Sequence, residues 1–295
     1  MTGAAGGAAF FPMTLDPMVT LLVLLAAVMH ASWNALVKAN GDRLAMQALV
    51  IFFSSVPAAA ALPFVPLPSV ASLPFLLVSL IVHGFYYATL LGAYRHGDLS
   101  QVYPIARGAA PLMVALGAWA FAGEAMSWQG WLGVIIVSLA IMSLAAPGRL
   151  RHERELSSIG FALATGVTIA LYSLADGMGV RRAGNDFSYI LWLLAIEGLP
   201  LLLVSLWLRR GRIRASFVPA LPKGIGGGIL AGLGYGIVIW AMGRAPMAHV
   251  SALRETSVIL AAVIGTALLR EPFGLRRIMA SGLIVAGSAL LHLAG

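Results

Sequence analysis

The chain has 295 residues, 60% of them hydrophobic and only 10% charged, with a formal net charge of +8 and no cysteine. Soluble domains carry about 25% charged residues, so this composition excludes an ordinary water-soluble core and implies an integral membrane protein. The lack of cysteine excludes disulfides, thiolate metal sites and cysteine nucleophiles. The basic residues lie between apolar runs and not on one solvated face, which excludes a nucleic-acid binder.

Residues 1–17 lack the basic start of a secretory signal and are interrupted by Pro12 and Pro17, so they read as a short N-terminal tail. Apolar runs of about 20 residues then recur, the length a helix needs to cross a hydrocarbon core of roughly 30 Å, and longer than the alternating strands of a barrel. The first five predicted spans are Met18 to Val37, Leu44 to Val65, Leu73 to Ala93, Leu99 to Ala122 and Trp128 to Ala146. After the polar stretch PGRLRHERELSS come Ile159 to Gly177, Phe187 to Leu208, Gly224 to Gly243, Ala248 to Leu269 and Phe273 to Leu293. The expected fold is an all-α integral membrane protein of ten transmembrane helices.

Residues three or four apart share a helix face. On that spacing the first span presents His30, Trp33, Asn34 and Lys38, and the third presents His83, Tyr86, Tyr87, Leu90 and Tyr94. The sixth presents Thr165, Thr168, Tyr172 and Asp176, and the seventh Tyr189, Trp192 and Glu197. Buried polar groups in a bilayer need partners, so the mid-span members of these stripes are expected to face a cavity, whereas Trp128, Trp131, Trp207 and Lys38 fit interfacial or snorkelling positions.

The fourth span carries Arg107, eight residues in from Leu99, or about 12 Å along a helix at ~1.5 Å per residue. Pro104 and Pro111 have no N–H, which leaves the carbonyls of Ser100 and Arg107 without their usual partners and predicts a kinked or broken helix. Beside Tyr103, this makes a place where a guanidinium can grip carboxylate or phosphonate oxygens; the alternative is a structural lock between helices. Arg254 and Glu255 hold the counterpart position in the ninth span, and adjacent helical residues point about 100° apart, so they are not expected to pair with each other. Glu197 and Glu255 are candidates for proton coupling, with His30 or His83 as relays; salt bridging to arginine is the competing role. In the eighth span Gly228, Gly232 and Gly236 form a row suited to close helix packing or to flexibility.

Loop charges give an orientation. Lys38, Arg43, Arg95, Arg149, Arg151, Arg154, Arg209, Arg210, Arg212, Arg214, Lys223, Arg270, Arg276 and Arg277 fall in odd-numbered loops, against Arg181, Arg182 and Arg244 in even ones. Cytoplasmic loops retain Lys and Arg, so a cell inner-membrane location with both termini periplasmic is expected.

The halves also repeat. Arg107 precedes Glu124 by 17 residues, as Arg254 precedes Glu271, and GWLGVIIVSLAIMSLA follows in one half where ASGLIVAGSALLHLAG follows in the other. Two copies of five spans must be inverted relative to each other, a transporter signature. The predicted organisation is a first repeat over 18–146, a cytoplasmic linker over 147–158 and a second repeat over 159–295.

The motifs HASWNALVK, AYRHGDLSQVYPIARGAAPLMVALGAW and LRETSVILAAVIG together resemble the EamA-type transporters of the drug/metabolite transporter superfamily. That resemblance implies a ten-helix transporter, with exporters of amino acids and other small metabolites among its members and a subgroup associated with phosphonate utilisation. The first-helix carboxylate on which small multidrug members rely has no counterpart between Met18 and Val37, which argues against export of lipophilic cations.

The expected function is alternating-access export of small polar metabolites such as amino acids or related anions. Substrate-binding candidates are Trp33, Asn34, His83, Tyr86, Tyr87, Tyr103, Arg107, Tyr172 and Arg254. No cofactor or metal is expected; the expected partners are a small-molecule substrate, the lipid bilayer and protons, acting on a monomer or homodimer. No GxxxxGK[ST] loop supplies ATP, and neither HExxH nor GxSxG supports an intramembrane enzyme, the least favoured alternative after a phosphonate-associated permease and a lipid-linked sugar flippase.

Overall fold

The computed structural model describes residues 16–96, 99–145, 152–269 and 274–293. Most of the N-terminal tail, residues 147–151 of the linker, Arg270 and Glu271 lie outside the described residues, as do the side chains of Arg95 and Arg154.

The described chain is helical, and its helices begin where the sequence supplies caps. Helix α1 (Pro17–Lys38) opens on Asp16, whose carboxylate accepts from the Met18 amide at 2.7 Å, with proline pre-set in the first turn. Helix α2 (Arg43–Ala61) opens on Asp42 and runs into a 3-10 turn, Leu62–Phe64. Then follow α3 (Leu73–His96), α4 (Leu99–Ala122) and α5 (Trp128–Met142), the last capped by Ser127. Helix α6 (His152–Val180) starts inside the segment expected as linker, and α7 (Asp186–Leu208) is capped by Asn185. The five-residue α8 (Ile213–Phe217), α9 (Leu221–Met242), α10 (Met247–Arg254), α11 (Ser257–Leu269) and α12 (Leu275–Leu293) complete the chain.

Among the described residues eight segments are long and apolar enough to cross a membrane, with Met247–Ile264 of α10 and α11 counting as one. The expected fifth span is the shorter apolar α5, and the expected tenth is α12, which starts with Leu275, Arg276 and Arg277.

The two halves interleave. Helix α3 packs on α6 as α1 packs on α9; α4 packs on α6 as α1 packs on α10 and α11; α2 meets α7, and α5 meets α12. Small residues permit the close approaches. A Cβ on Gly228 would lie 2.5 Å from Phe53 Cβ and 2.8 Å from the Phe53 carbonyl carbon, so α9 touches α2 backbone to backbone there. Gly133 of α5 and Gly287 of α12 exclude side chains from each other in the same way, each Cβ falling within 2.9 Å of the other's carbonyl oxygen.

One expectation is corrected. Helix α4 is continuous through Pro104 and Pro111, and the break falls in the counterpart ninth span, between α10 and α11. At Glu255 and Thr256 bonds tighten to three-residue spacing: Glu255 N–H donates to Ala252 O, Thr256 N–H to Leu253 O and Val258 N–H to Glu255 O. The Thr256 hydroxyl also donates to Leu253 O at 2.8 Å, competing with the helix for that carbonyl.

Candidate functional site

A cavity of about 100 Å³ lies between α1, α2, α3, α4, α6, α7, α9 and α10. Its wall brings together Trp33, Asn34, His83, Tyr86, Tyr87, Tyr103, Arg107, Tyr172 and Arg254, and with them His30 and Glu197. Glu255 is not part of that wall: it is fully buried behind it. Thr165 and Thr168 also stay out of the cavity, because their hydroxyls donate to the carbonyls of Phe161 and Thr165 on their own helix. Tyr189 and Trp192 do not line it either.

At one wall, Arg107 Nη2 lies 2.8 Å from Glu255 Oε1. Arg254 Nε lies 4.0 Å from the same oxygen, at the outer limit of an ion pair. The expectation that these neighbours point apart is therefore corrected in part, and the tightened turn at 255–256 is the reason. Two arginines, 5% and 4% exposed, share one carboxylate. Among the described residues Arg254 Nε and Nη2 and Arg107 Nε have no hydrogen-bond partner. The wall thus holds one positive charge more than its carboxylate balances, a costly arrangement in an apolar interior unless an anion arrives.

A second group of lining side chains is acidic and aromatic. Tyr87 Oη donates to Glu197 Oε1 at 2.8 Å, and His83 Nε2 lies 3.6 Å from the same oxygen. The His83 ring stacks on Tyr172 with centroids 4.2 Å apart, and Tyr235 stands edge-on to both. Behind them Asp176 accepts from Tyr189 Oη at 3.1 Å and from Tyr235 Oη. Asn34 donates its amide to the His30 carbonyl at 2.8 Å, which fixes its oxygen side relative to the cavity.

Sequence reasoning missed Gln47, Ser54 and Tyr235. Tyr235 was legible: with Ala231, Gly234 and Val238 it falls on one face of α9, a stripe obscured by the glycines around it.

The cavity spans the bundle: Asn34, Gln47 and Tyr103 each lie four residues from the odd-loop ends of α1, α2 and α4, and Val238 lies four residues from the even-loop end of α9, about 6 Å of helix in each case. The even-loop end carries several cross-loop contacts. Gly123, at φ +67°, takes the left-handed conformation that ends α4, and Glu124 follows it. The Glu124 carboxylate accepts from Arg181 Nη2 at 2.6 Å and from the Met247 amide at 2.9 Å, while Arg181 donates to Met242 O and Ala245 O, each at 2.9 Å. Arg244 pairs with Asp186, and the Ser69 amide donates to Ala183 O. At the odd end Arg209 grips Asp42 through Nε at 2.6 Å and Nη2 at 3.1 Å. That arginine holds the Asp42 carboxyl down at about 2. Every one of these contacts joins loops of the same parity.

Residues 156–293 match the family model described as the EamA-like transporter family, in agreement with the resemblance carried by the sequence motifs. No curated protein matches the chain. One protein of known crystal structure superimposes with a TM-score of 0.73 over 94% of this chain and 98% of its own, at 16% identity, a likeness of fold alone.

Proposed function

We propose that this multi-pass membrane transporter, EamA-like over its second half, is a secondary carrier of small polar metabolites that bear an anionic group, amino acids among them. It works by alternating access between two inverted five-helix repeats, in the export direction that the family resemblance implies. The observation that carries the substrate class is the buried wall of Arg107 and Arg254 with only Glu255 to balance them. A carboxylate or phosphonate entering the cavity supplies the missing negative charge, and guanidinium groups suit its paired oxygens. Glu197, which also lines the cavity, offers an ammonium group its counterion, so one small zwitterion suits both the arginines and Glu197.

The repeat organisation is supported by the packing. Exchange the first five spans for the second five, and α3 on α6 becomes α9 on α1, while α2 on α7 and α5 on α12 map onto themselves. Alternating access is supported by the polar ties between the even loops, which a carrier can break to open that end. Together with the Lys and Arg count, the parity of the loop contacts supports periplasmic termini in an inner membrane, which a reporter fused after Gly295 tests. The cavity is completed within one chain, so a monomer suffices.

The test is ligand stabilisation of the purified protein and of Arg107→Ala. Amino acids, dicarboxylates, organic phosphonates and quaternary ammonium ions are compared by thermal shift; a ligand at 100 times its Kd adds about 2.7 kcal/mol to the folded state. One anionic class is expected to raise the melting temperature of the parent and not of the variant. Stabilisation by quaternary ammonium ions alone would sink this reading.

A further inference from the structure

The loop between α7 and α9 concentrates positive charge far from the cavity. From 209 to 223 it carries Arg209, Arg210, Arg212, Arg214 and Lys223 with no Asp or Glu, whereas the connection from α2 to α3, 62–72, has no charged residue at all. Arg209 is matched by Asp42. That carboxylate has no capacity for the others. A carboxylate offers about four acceptor positions, and Arg209 Nε, Arg209 Nη2, the Ala45 amide and the Ser216 side chain take them. Arg210, Arg212, Arg214 and Lys223 are exposed and form no ion pair among the described residues.

These cations sit on a folded platform and not on a loose arm. Arg212 N–H donates to Arg209 O at 2.7 Å, Ser216 N–H to Arg212 O at 2.9 Å, Val218 N–H to Arg214 O at 3.2 Å and Gly224 N–H to Ala220 O at 2.8 Å. Phe217 and Ala220 pin the loop to the bundle, in one apolar cluster with Met46 and Leu49 of α2. Other apolar side chains stay outside: Trp207 is 64% and Val218 58% exposed, and Ile213 and Leu221 are exposed as well. Exposed apolar groups threaded by cations mark a segment that lies in a membrane interface. Tryptophan favours headgroup depth, and the Arg210 guanidinium carbon lies 5.8 Å from the centre of the Trp207 ring, which sets a cation at that same depth.

We infer that the α7–α9 loop is a binding surface for an anionic phospholipid, its phosphodiester held by Arg210, Arg212, Arg214 and Lys223 and its acyl chains laid along Trp207 and Val218. Charge complementarity selects this occupant. Basic loops orient a bundle by their number alone, which calls for neither a fixed backbone nor apolar neighbours. A lipid with a negative headgroup uses all three, because guanidinium forks match phosphate oxygens and the apolar side chains receive the chains. A zwitterionic headgroup brings its own cation to a surface that already has four in excess. A soluble phosphate gains nothing from Trp207 or Val218. The surface is separate from the cavity and stands whether or not that cavity takes a polar metabolite.

The probes are dioleoylphosphatidylglycerol and dioleoylphosphatidylcholine, which share their chains and differ in headgroup charge, with inorganic pyrophosphate as a soluble phosphate source. Each is added to the purified full chain in a neutral detergent; native mass spectrometry counts bound lipid, and thermal shift follows stabilisation. Phosphatidylglycerol is expected to bind about tenfold or more tightly than phosphatidylcholine, and to weaken as salt rises. Near an anionic headgroup each Lys or Arg is worth about fivefold, so Arg210→Gln, Arg212→Gln, Arg214→Gln and Lys223→Gln combined are expected to lower its affinity by more than about a hundredfold. The same number of changes in other odd loops, Arg149→Gln, Arg151→Gln, Arg154→Gln and Arg276→Gln combined, is expected to lower it by less than about fivefold. Should the first combination fail to fold, Arg212→Gln alone decides: a loss of about fivefold is expected, and an unchanged affinity overturns the surface. Equal binding of the two lipids would overturn it as well. Equal losses in the two combined variants would reduce it to net charge without a site. Stabilisation by pyrophosphate as strong as that by phosphatidylglycerol would replace the lipid by a soluble anion.

Discussion

At the even-loop end, Glu124, Arg181 and the backbones of Met242, Ala245 and Met247 form a partly buried knot across three loops, with Arg244 and Asp186 beside it. At the odd-loop end the partly exposed pair of Asp42 with Arg209 joins two loops. The contrast separates two uses of arginine. Abundant, solvated cations orient a helix bundle by their side of the membrane. Scarce, buried ones are held in ion pairs whose partners cannot be removed cheaply.

Three changes test that contrast, in falling order of effect. Glu124→Ala leaves Arg181 without its carboxylate at a partly buried site, where loss of a hydrogen bond to a charged group costs about 1.5–3 kcal/mol. The even-loop end is expected to become more accessible. A cysteine placed at Ala248, unique in this cysteine-free chain, should then react with a water-soluble maleimide more than about tenfold faster from that side. An unchanged labelling rate would mean that the knot holds the fold and gates nothing.

Asp42→Asn is expected to cost less than about 1 kcal/mol, since the pair is partly exposed. Its sign with pH is fixed: the folded carboxyl titrates at about 2, below its ordinary 3.8, so its contribution is whole above about pH 4 and disappears as pH falls towards 2. Melting curves of parent and variant should differ at pH 7 and converge at pH 2. The smallest effect, within about 0.5 kcal/mol, is expected for Arg244→Ala, because that arginine is the most exposed member of these pairs; a larger loss in chemical denaturation would place Arg244 in the knot.

Much of the bundle was legible because its signals are local. The apolar runs, the caps Asp16, Asp42, Ser127 and Asn185, and the spaced side chains His83, Tyr86 and Tyr87 need no knowledge of distant contacts. The break in the ninth span was not legible. Proline marks weak points in a helix, and Pro111 sits in one that runs on uninterrupted, whereas LRETS carries no proline or glycine and yields where the Thr256 hydroxyl competes for the Leu253 carbonyl. The partner of Glu255 was equally out of reach, since Arg107 is 148 positions away and meets it only once α4 and α10 pack. Tyr235 shows a third kind of miss, a functional-looking side chain hidden in a helix whose glycines drew the structural explanation.

The interleaving of the halves has a consequence for how the protein is made. Helix α1 leaves the ribosome about 180 residues before α9, its main packing partner. At 5–20 residues per second that is a wait of roughly 10–40 s. During it His30, Asn34 and Lys38 stand in or beside lipid without the second half to receive them. Biogenesis must therefore shelter a polar first helix until synthesis is nearly over, and a chain truncated after α7 should be recognised and degraded instead of surviving as half a carrier.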